Sequence, residues 1–548
     1  MCISGTAAQA ENEAAVVRCC QIVKLYIVKL SNNRMLIKTF GAATIGIDAA
    51  LITIEVHATG GNNFVLVGLP DSSVRESRER IYSAMQVNGF RFPAHSYTIN
   101  MAPADIKKEG ASYDLPLAIG ILAGDEQVKS ERIGDFLIMG ELSLDGSLQP
   151  IRGALPIALA ARREGFKGVV LPIQNAAEAA VADGIEVYGM EHLQDVVRFL
   201  NGTQSFEPYR VDVQALFAES SHTGELDFSD VRGQENVRRA MEVAAAGGHN
   251  LLMVGPPGAG KSMMAKRLPS ILPPLSLAEA LETTKIHSVA GLLHQHGEKQ
   301  SLIVQRPFRS PHHTITDVAL VGGGSNPHPG EISLAHNGVL FLDELPEYKR
   351  SALEVMRQPL EDRKITIART KMSVEYPASF MLVAAMNPCP CGHYGDASHA
   401  CTCTPLQVHR YKDRISGPLL DRIDIQVPIQ AVPYSELRKR EGGEPSAAIR
   451  ERVVHARQIQ QVRFQGTGIH CNAQMTSKML NQYCLIDEAG DRLLQHALTK
   501  LGLSARAYDR IRKVARTIAD LANEPNILPQ HLMEAISYRS LDREDYGE

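Results

Sequence analysis

Two spacings of apolar residues divide the chain. From Ile37 to Ile47 apolar and polar residues alternate, as in a strand with one wet face. Ala50-Leu-Ile-Thr-Ile-Glu-Val-His57 and Phe64-Val-Leu-Val67 read as further strands, and Gly168-Val-Val-Leu171 as a buried one. Ser72 to Val87 reads as a helix capped by Ser72 or Ser73, with Arg and Glu on its wet face. An Ala-rich helix follows over Ala154–Arg163. Residues 35–205 are therefore expected to form an α+β domain. Residues 206–228 are polar and irregular, with Pro208, Ser220, Ser221 and Gly224, and are expected to be a linker. From 229 to 433 apolar strands at 251–254, 339–342 and 380–385 alternate with helices, the pattern of a parallel sheet covered by helices. A second linker, charged and rich in Gly and Pro, is expected over 434–448. Residues 449–545 carry helical spacing, as in Ile449-x-x-x-Val453-x-x-x-Arg457 and the long run from Ala505 to Ala522.

Composition narrows the class. A chain of 548 residues is too long for one core and implies about three or four domains. Its net charge of −4 gives no global attraction for nucleic acid, so any such site must be a local patch. No apolar run approaches the ~18 residues of a membrane span. Nine cysteines in this length do not suggest a secreted disulfide scaffold, and the expected compartment is the cytoplasm. The run from Arg18 to Leu30 resembles a weak signal peptide, but Lys24 and Lys29 interrupt it and no small-residue cleavage site follows. Translation is expected to start at Met35, with residues 1–34 a non-native or disordered extension. N-terminal sequencing that found Cys2 would refute this.

The chemistry gathers between 255 and 403. The run Gly255, Pro256, Pro257, Gly258, Ala259, Gly260, Lys261, Ser262 follows an apolar strand and opens a helix. In that setting G-x-x-x-x-G-K-[ST] is a phosphate site for ATP. Its backbone N–H groups curl around phosphate oxygens, Lys261 reaches the outer phosphates and Ser262 holds Mg²⁺. Gly338-Val-Leu-Phe-Leu-Asp-Glu344 is a buried strand ending in two acids. Asp343 suits the Mg²⁺ and Glu344 the orientation of the attacking water. Cys389-Pro-Cys391 and Cys401-Thr-Cys403 form two close pairs, and four thiolates suit tetrahedral Zn²⁺. His393 and His399 are alternative ligands.

Several features are open to more than one reading. Arg306-Pro-Phe-Arg-Ser-Pro-His-His313 and Val321-Gly-Gly-Gly324 are rich in turns. No carboxylate or Cys stands at ligand spacing beside His312 and His313, so a metal is not expected there. The Gly-rich insert and an expected hairpin over Leu360–Arg369 are candidates for loops that push on a load. Basic residues cluster at Arg438, Lys439, Arg440, Arg450, Arg452, Arg457 and Arg463, and again at Arg506, Arg510, Arg512, Lys513 and Arg516. They are either a phosphate-binding surface or ordinary wet helix faces.

These motifs together resemble the YifB/ComM group of magnesium-chelatase-like AAA+ ATPases, from Met35 to near the end. The matching runs are Gly-Leu-Pro-Asp71, Glu76-Ser-Arg-Glu-Arg80, Asn100 to Asp105, Gly255 to Ser262, Arg306 to His313, Pro329 to Glu344, Asn387 to Gly392 and Ser416 to Asp424. The resemblance implies an AAA+ P-loop core, an N-terminal Lon-protease-like domain and a C-terminal helical lid. It also implies a bacterial hexameric ring that acts on single-stranded or branched DNA, as a helicase and branch-migration factor in natural transformation. Asn387, ending the strand 380–385, falls where the superfamily touches the attacking water. Arg422 falls where a neighbouring subunit supplies an Arg to the γ-phosphate, with Arg414 a second candidate. Arg506, in Ser504-Ala-Arg, resembles an Arg that leans back onto the nucleotide. Lys108-Glu-Gly-Ala-Ser112 resembles the nucleophile run of Lon proteases. Leu155 stands where the activating Lys would be, so no peptidase activity is expected. The alternative within the resemblance is an ATPase subunit that drives metal insertion into a porphyrin or remodels a protein partner.

Overall fold

The first described strand, β1 (Leu36–Ile45), pairs antiparallel with β2 (Asp48–Gly60). The computed structural model describes residues 36–61, 63–92, 95–128, 131–220, 226–293, 301–324, 327–369, 372–395, 399–432, 442–502 and 504–539. The expected extension 1–34, Met35, and Arg438, Lys439 and Arg440 of the expected second linker lie outside the described residues. The chain forms two compact units, one running to Val213 and including 287–302, the other comprising 214–286 and 303 onward.

In the first unit β2 also pairs with β4 (His95–Ala102), which runs parallel to β3 (Phe64–Val67), giving the order β1-β2-β4-β3. Ile52, Ile54, Val56, Ile99 and Met101 are fully buried, the inward half of the alternation. Helix α1 (Asp114–Gly124) is apolar on nearly every face and correspondingly buried. Helix α2 (Ala154–Arg163) has the expected bounds. A separate parallel sheet has the order β5 (Phe136–Ile138), β6 (Gly168–Pro172), β7 (Glu186–Met190). The helix expected over 72–87 is broken at Glu76 into 72–75 and 77–87. Its cap is Asp71, one residue earlier than expected, whose Oδ1 accepts the Val74 N–H at 2.8 Å.

The second unit begins with a helix where a linker was expected, Val213–Ser220. Val213-Gln-Ala-Leu-Phe-Ala is built of adequate helix formers, which outweigh its polar flanks. The main sheet is wholly parallel: β8 (Leu251–Val254), β9 (Phe308–Arg309), β10 (Val339–Leu342), β11 (Met381–Met386) and β12 (Ile425–Pro428), in the order β9-β10-β11-β8-β12. β10 and β11 are buried at every position, which is why they read as continuous apolar runs. Helices α3 (Glu235–Gly247), α6 (Ser446–Arg463) and α7 (Ala505–Leu521) share one apolar cluster with the sheet. α4 (Lys261–Arg267) and α5 (Pro405–Lys412) complete the elements that matter for the site. The expected hairpin starts late, pairing Lys364–Arg369 with Met372–Pro377, because Arg357–Asp362 is helical.

Candidate active site

A parallel sheet has two chemically different edges, because every strand ends on the same side. At the carboxyl edge β8 runs into Gly255, β10 into Asp343 and β11 into Asn387. The registers Val254 with Met386 and Leu342 with Ala384 put Gly255 and Asn387 side by side, with Asp343 two residues short of them. β8 is flanked by β11 and β12, neither of them its sequence neighbour, and such a switch point opens a crevice for a ligand. Gly258 and Gly260 adopt φ of 76° and 90°, a left-handed backbone that side chains resist, and so let the loop curl before α4.

The side chains at this edge converge. The Lys261 Nζ donates to the carbonyls of Gly255 (2.7 Å) and Pro256 (2.9 Å) and to the Asn387 Oδ1 (3.0 Å). Burial pulls its amine below the ordinary lysine range, against the opposing pull of Asp343 and Glu344. The Ser262 hydroxyl donates to the Asp343 carboxylate at 2.5 Å. This pair supplies the oxygen donors that a hard cation such as Mg²⁺ takes. Glu344 sits at φ 52°, a strained backbone for a residue with a side chain, and stays more than half exposed. Its carboxylate lies 3.2 Å from the Nδ1 of His313. The sequence reading set aside a metal at His313 and missed this contact. The available signal was the Pro-His-His turn shortly after β9, the strand beside β10.

The opposite edge holds Arg422 and Arg506. Ile425 of β12 pairs with Leu251, the first residue of β8, so Arg422 and Asp424 precede the sheet. The Asn250 Nδ2 donates to the Arg422 carbonyl at 2.8 Å, and from Asn250 to Gly255 is roughly 15 Å of strand. Arg422 is 6 % exposed, ion-paired with Glu361 at 2.5 Å and donating to the Pro418 carbonyl at 2.6 Å. Arg506 is held here too, 3.9 Å from Asp421 and well exposed. The structure therefore does not bring Arg506 to the phosphate loop of its own chain. Arg414 is not at this edge: it pairs at 2.8 Å with Glu347, in the turn that follows Asp343 and Glu344. Beneath this edge Asp424 is 4 % exposed, bonded to Arg510 and 3.3 Å from His249, whose Nε2 meets the Thr517 hydroxyl at 2.8 Å. Burial alone would raise the Asp424 carboxyl, but Arg510 and His249 outweigh it and hold it far below the usual range. This network ties α7 to the sheet.

The late basic residues are largely used inside the protein. Arg452 pairs with Glu242 and Glu444, Arg463 and Arg516 with Asp520, and Arg457 donates to the Ala245 carbonyl. Asp520, on α7 itself, and Asp424, just ahead of β12, draw these charges inward.

The four thiols meet. Cys389 Sγ lies 3.3 Å from that of Cys391 and 3.7 Å from that of Cys401, with 3.5 Å between Cys391 and Cys401. All four sulfurs fall within 4.8 Å of one another. A tetrahedral zinc with Zn–S of ~2.3 Å would place its sulfurs about 3.8 Å apart, whereas a disulfide needs ~2.05 Å. Backbone N–H groups of His393 and Thr402 favour the Cys391 thiolate and bring its pKa to about 5. In the first unit Leu155 is fully buried, and its N–H donates to Glu178 at 2.9 Å. Ser112 is the middle residue of the turn Ala111–Tyr113 that leads into α1.

Three family models match separate stretches of the chain. The family described as "Magnesium chelatase, subunit ChlI" matches residues 227–437. "Subunit ChlI of Mg-chelatase" matches 54–175, and "Magnesium chelatase, subunit ChlI C-terminal" matches 443–539. The chain is 44% identical to the "Competence protein ComM" of Haemophilus influenzae over 507 residues, 92% of this chain and 97% of that one. It is 45% identical to YifB of Salmonella typhimurium over 504 residues, 91% of this chain and 96% of that one. A stretch of 178 residues is 25% identical to Lon protease 2 of Bacillus subtilis, 31% of this chain and 32% of that one, and the N-terminal region is the Lon-like part.

Proposed function

The chain belongs to the ComM/YifB family of magnesium-chelatase-like proteins, with the core of an AAA+-type ATPase, and from that premise we propose that it is a ring motor driven by ATP hydrolysis on DNA. The observation that carries the reading is the split between the two sheet edges. Phosphate-loop, acid and Asn387 groups stand at one edge, and Arg422 stands roughly 15 Å away at the other. Arg422, at the other edge, serves not the γ-phosphate beside its own Lys261 but that of the next subunit in a head-to-tail ring. Residues 255–262 cradle the nucleotide, Ser262 and Asp343 hold Mg²⁺, Glu344 orients water and Asn387 positions it beside Lys261. Arg422, with the exposed Arg506 nearby, serves the neighbour's site. The expected assembly is a hexamer in the cytoplasm, with single-stranded or branched DNA as its load. Its expected role is helicase and branch migration in competence. Cys389, Cys391, Cys401 and Cys403 hold structural zinc. Buried Leu155 supplies no base for Ser112, so no peptidase activity is expected.

Strand displacement on a forked duplex tests this, with wild type beside Lys261→Ala. Wild type is expected to unwind and the variant to stall. DNA that neither binds nor changes ATP hydrolysis would overturn the DNA reading. The second reading is a magnesium-chelatase-type ATPase acting on metal insertion or a protein partner. It is favoured by the three chelatase-subunit matches, and ATP hydrolysis stimulated by such a partner and not by DNA would establish it.

A further inference from the structure

Two features of the thiol loop are left unused by hydrolysis alone: where its first turn packs and what its second half leads into. Cys389 follows Asn387 by two residues and is fully buried, while Asn387 itself accepts from Lys261. The turn Cys389-Pro-Cys-Gly392 is closed by the Gly392 N–H donating to the Cys389 carbonyl at 3.0 Å. Gly392 has φ 86°, and a Cβ there would stand 2.6 Å from the Cδ of Pro257. The backbone of the thiol turn therefore lies directly against the phosphate loop. The second pair, Cys401 and Cys403, leads into Thr404. Thr404 caps α5 with a reciprocal pair of bonds to Gln407, and α5 precedes the segment carrying Arg422.

Resting on the zinc reading above, we propose that metal in the Cys389–Cys391–Cys401–Cys403 cage braces the phosphate loop, so that zinc occupancy sets the affinity for adenine nucleotide. A bound ion fixes the first turn to the second pair and so fixes Gly392 against Pro257. It also fixes the end of β11, and with it the acceptor that holds Lys261. Without the ion the four sulfurs lose their common partner, and ion binding to such a loop supplies ordering free energy directly. The effector is a thiophilic divalent ion, and removing it loosens the nucleotide site without touching a nucleotide-binding residue.

The test measures zinc per chain by elemental analysis and binding of a fluorescent ATP analogue by the full chain. The chain is compared zinc-loaded, chelator-stripped under reducing conditions, and reloaded. One zinc per chain is expected, with affinity falling about tenfold on stripping and returning on reloading, the scale of one charge-assisted contact. Gly392→Ala keeps all four ligands and should retain zinc while weakening nucleotide binding by a similar factor. That variant carries the test if the stripped chain loses its far-ultraviolet helical signal. Unchanged affinity in both the stripped chain and Gly392→Ala would overturn the brace and leave the zinc site standing. A chain that takes up neither zinc nor cadmium would overturn the site itself. Loss of ATP binding in Lys261→Ala would keep the ATPase reading intact in either case.

Discussion

The two edges of the five-stranded sheet are made from the same strands, yet they do opposite things with charge. At the carboxyl edge the polar groups, all but Lys261 partly exposed, are aimed at one another across a crevice: Ser262 at Asp343, Lys261 at Asn387, His313 at Glu344. At the amino edge they are buried and neutralised, with Asp424 enclosed by Arg510 and His249, and Arg422 against Glu361. One edge gathers its groups around a crevice, and the other packs its charges in pairs, Arg422 at its rim among them. The contrast teaches that a site can be complete in sequence and incomplete in a single chain.

Breaking the contrast from the rim should have the largest effect. Arg422→Ala is expected to cut ATP hydrolysis by roughly 10³–10⁵-fold while leaving nucleotide affinity nearly unchanged, checked by steady-state kinetics beside a binding titration. Loss of binding instead would make Arg422 a structural residue. Next comes the buried anchor. Asp424→Ala leaves Arg510 enclosed without its partner and should cost about 3–5 kcal/mol in chemical denaturation. Because the folded carboxyl lies below its unfolded value, its contribution is present above the unfolded pKa of about 3.9 and is lost as pH falls below it. The wild-type stability profile should show that acid loss and Asp424→Asn should lack it.

A smaller effect sharpens the carboxyl edge. His313→Ala removes the group that orients Glu344 and should slow hydrolysis about tenfold at unchanged KM, the scale of one hydrogen bond, with His313→Asn recovering part of the rate. An unchanged rate would mean the contact is incidental. The smallest expected effect is in the first unit. Ser112→Ala should change neither ATP hydrolysis nor peptide cleavage, measured on casein. Cleavage that depended on Ser112 would refute the reading of Leu155.

What could be read from sequence was what a strand or loop announces locally. β8 and β10 have the expected bounds because a parallel strand buried on both faces is an unbroken apolar run; β3 has them too, as an apolar run between turn residues, although Val65 and Val67 face outward. The loop 255–262, Asp343 and Asn387 are legible for the same reason, since each follows such a run. Contacts between distant segments were not legible. The approach of His313 to Glu344 depends on the pairing of β9 with β10, and β9 has only two residues. The seat of Gly392 on Pro257 depends on β11 lying beside β8. The late arginines looked like a surface because Asp424 and Asp520, which draw them inward, are far apart in sequence. The break at Glu76 and the helix at 213–220 were missed for a local reason, as weak propensities there decide between helix and turn.

The central claim is that each active site is shared by two subunits. Mixing Lys261→Ala and Arg422→Ala chains tests it most directly, because each fails alone but each carries what the other lacks. In a randomly mixed ring about a quarter of the interfaces pair an intact Lys261 with an intact Arg422. ATP hydrolysis by the mixture is therefore expected to rise far above either parent. A mixture as inactive as its parents would contradict a shared site.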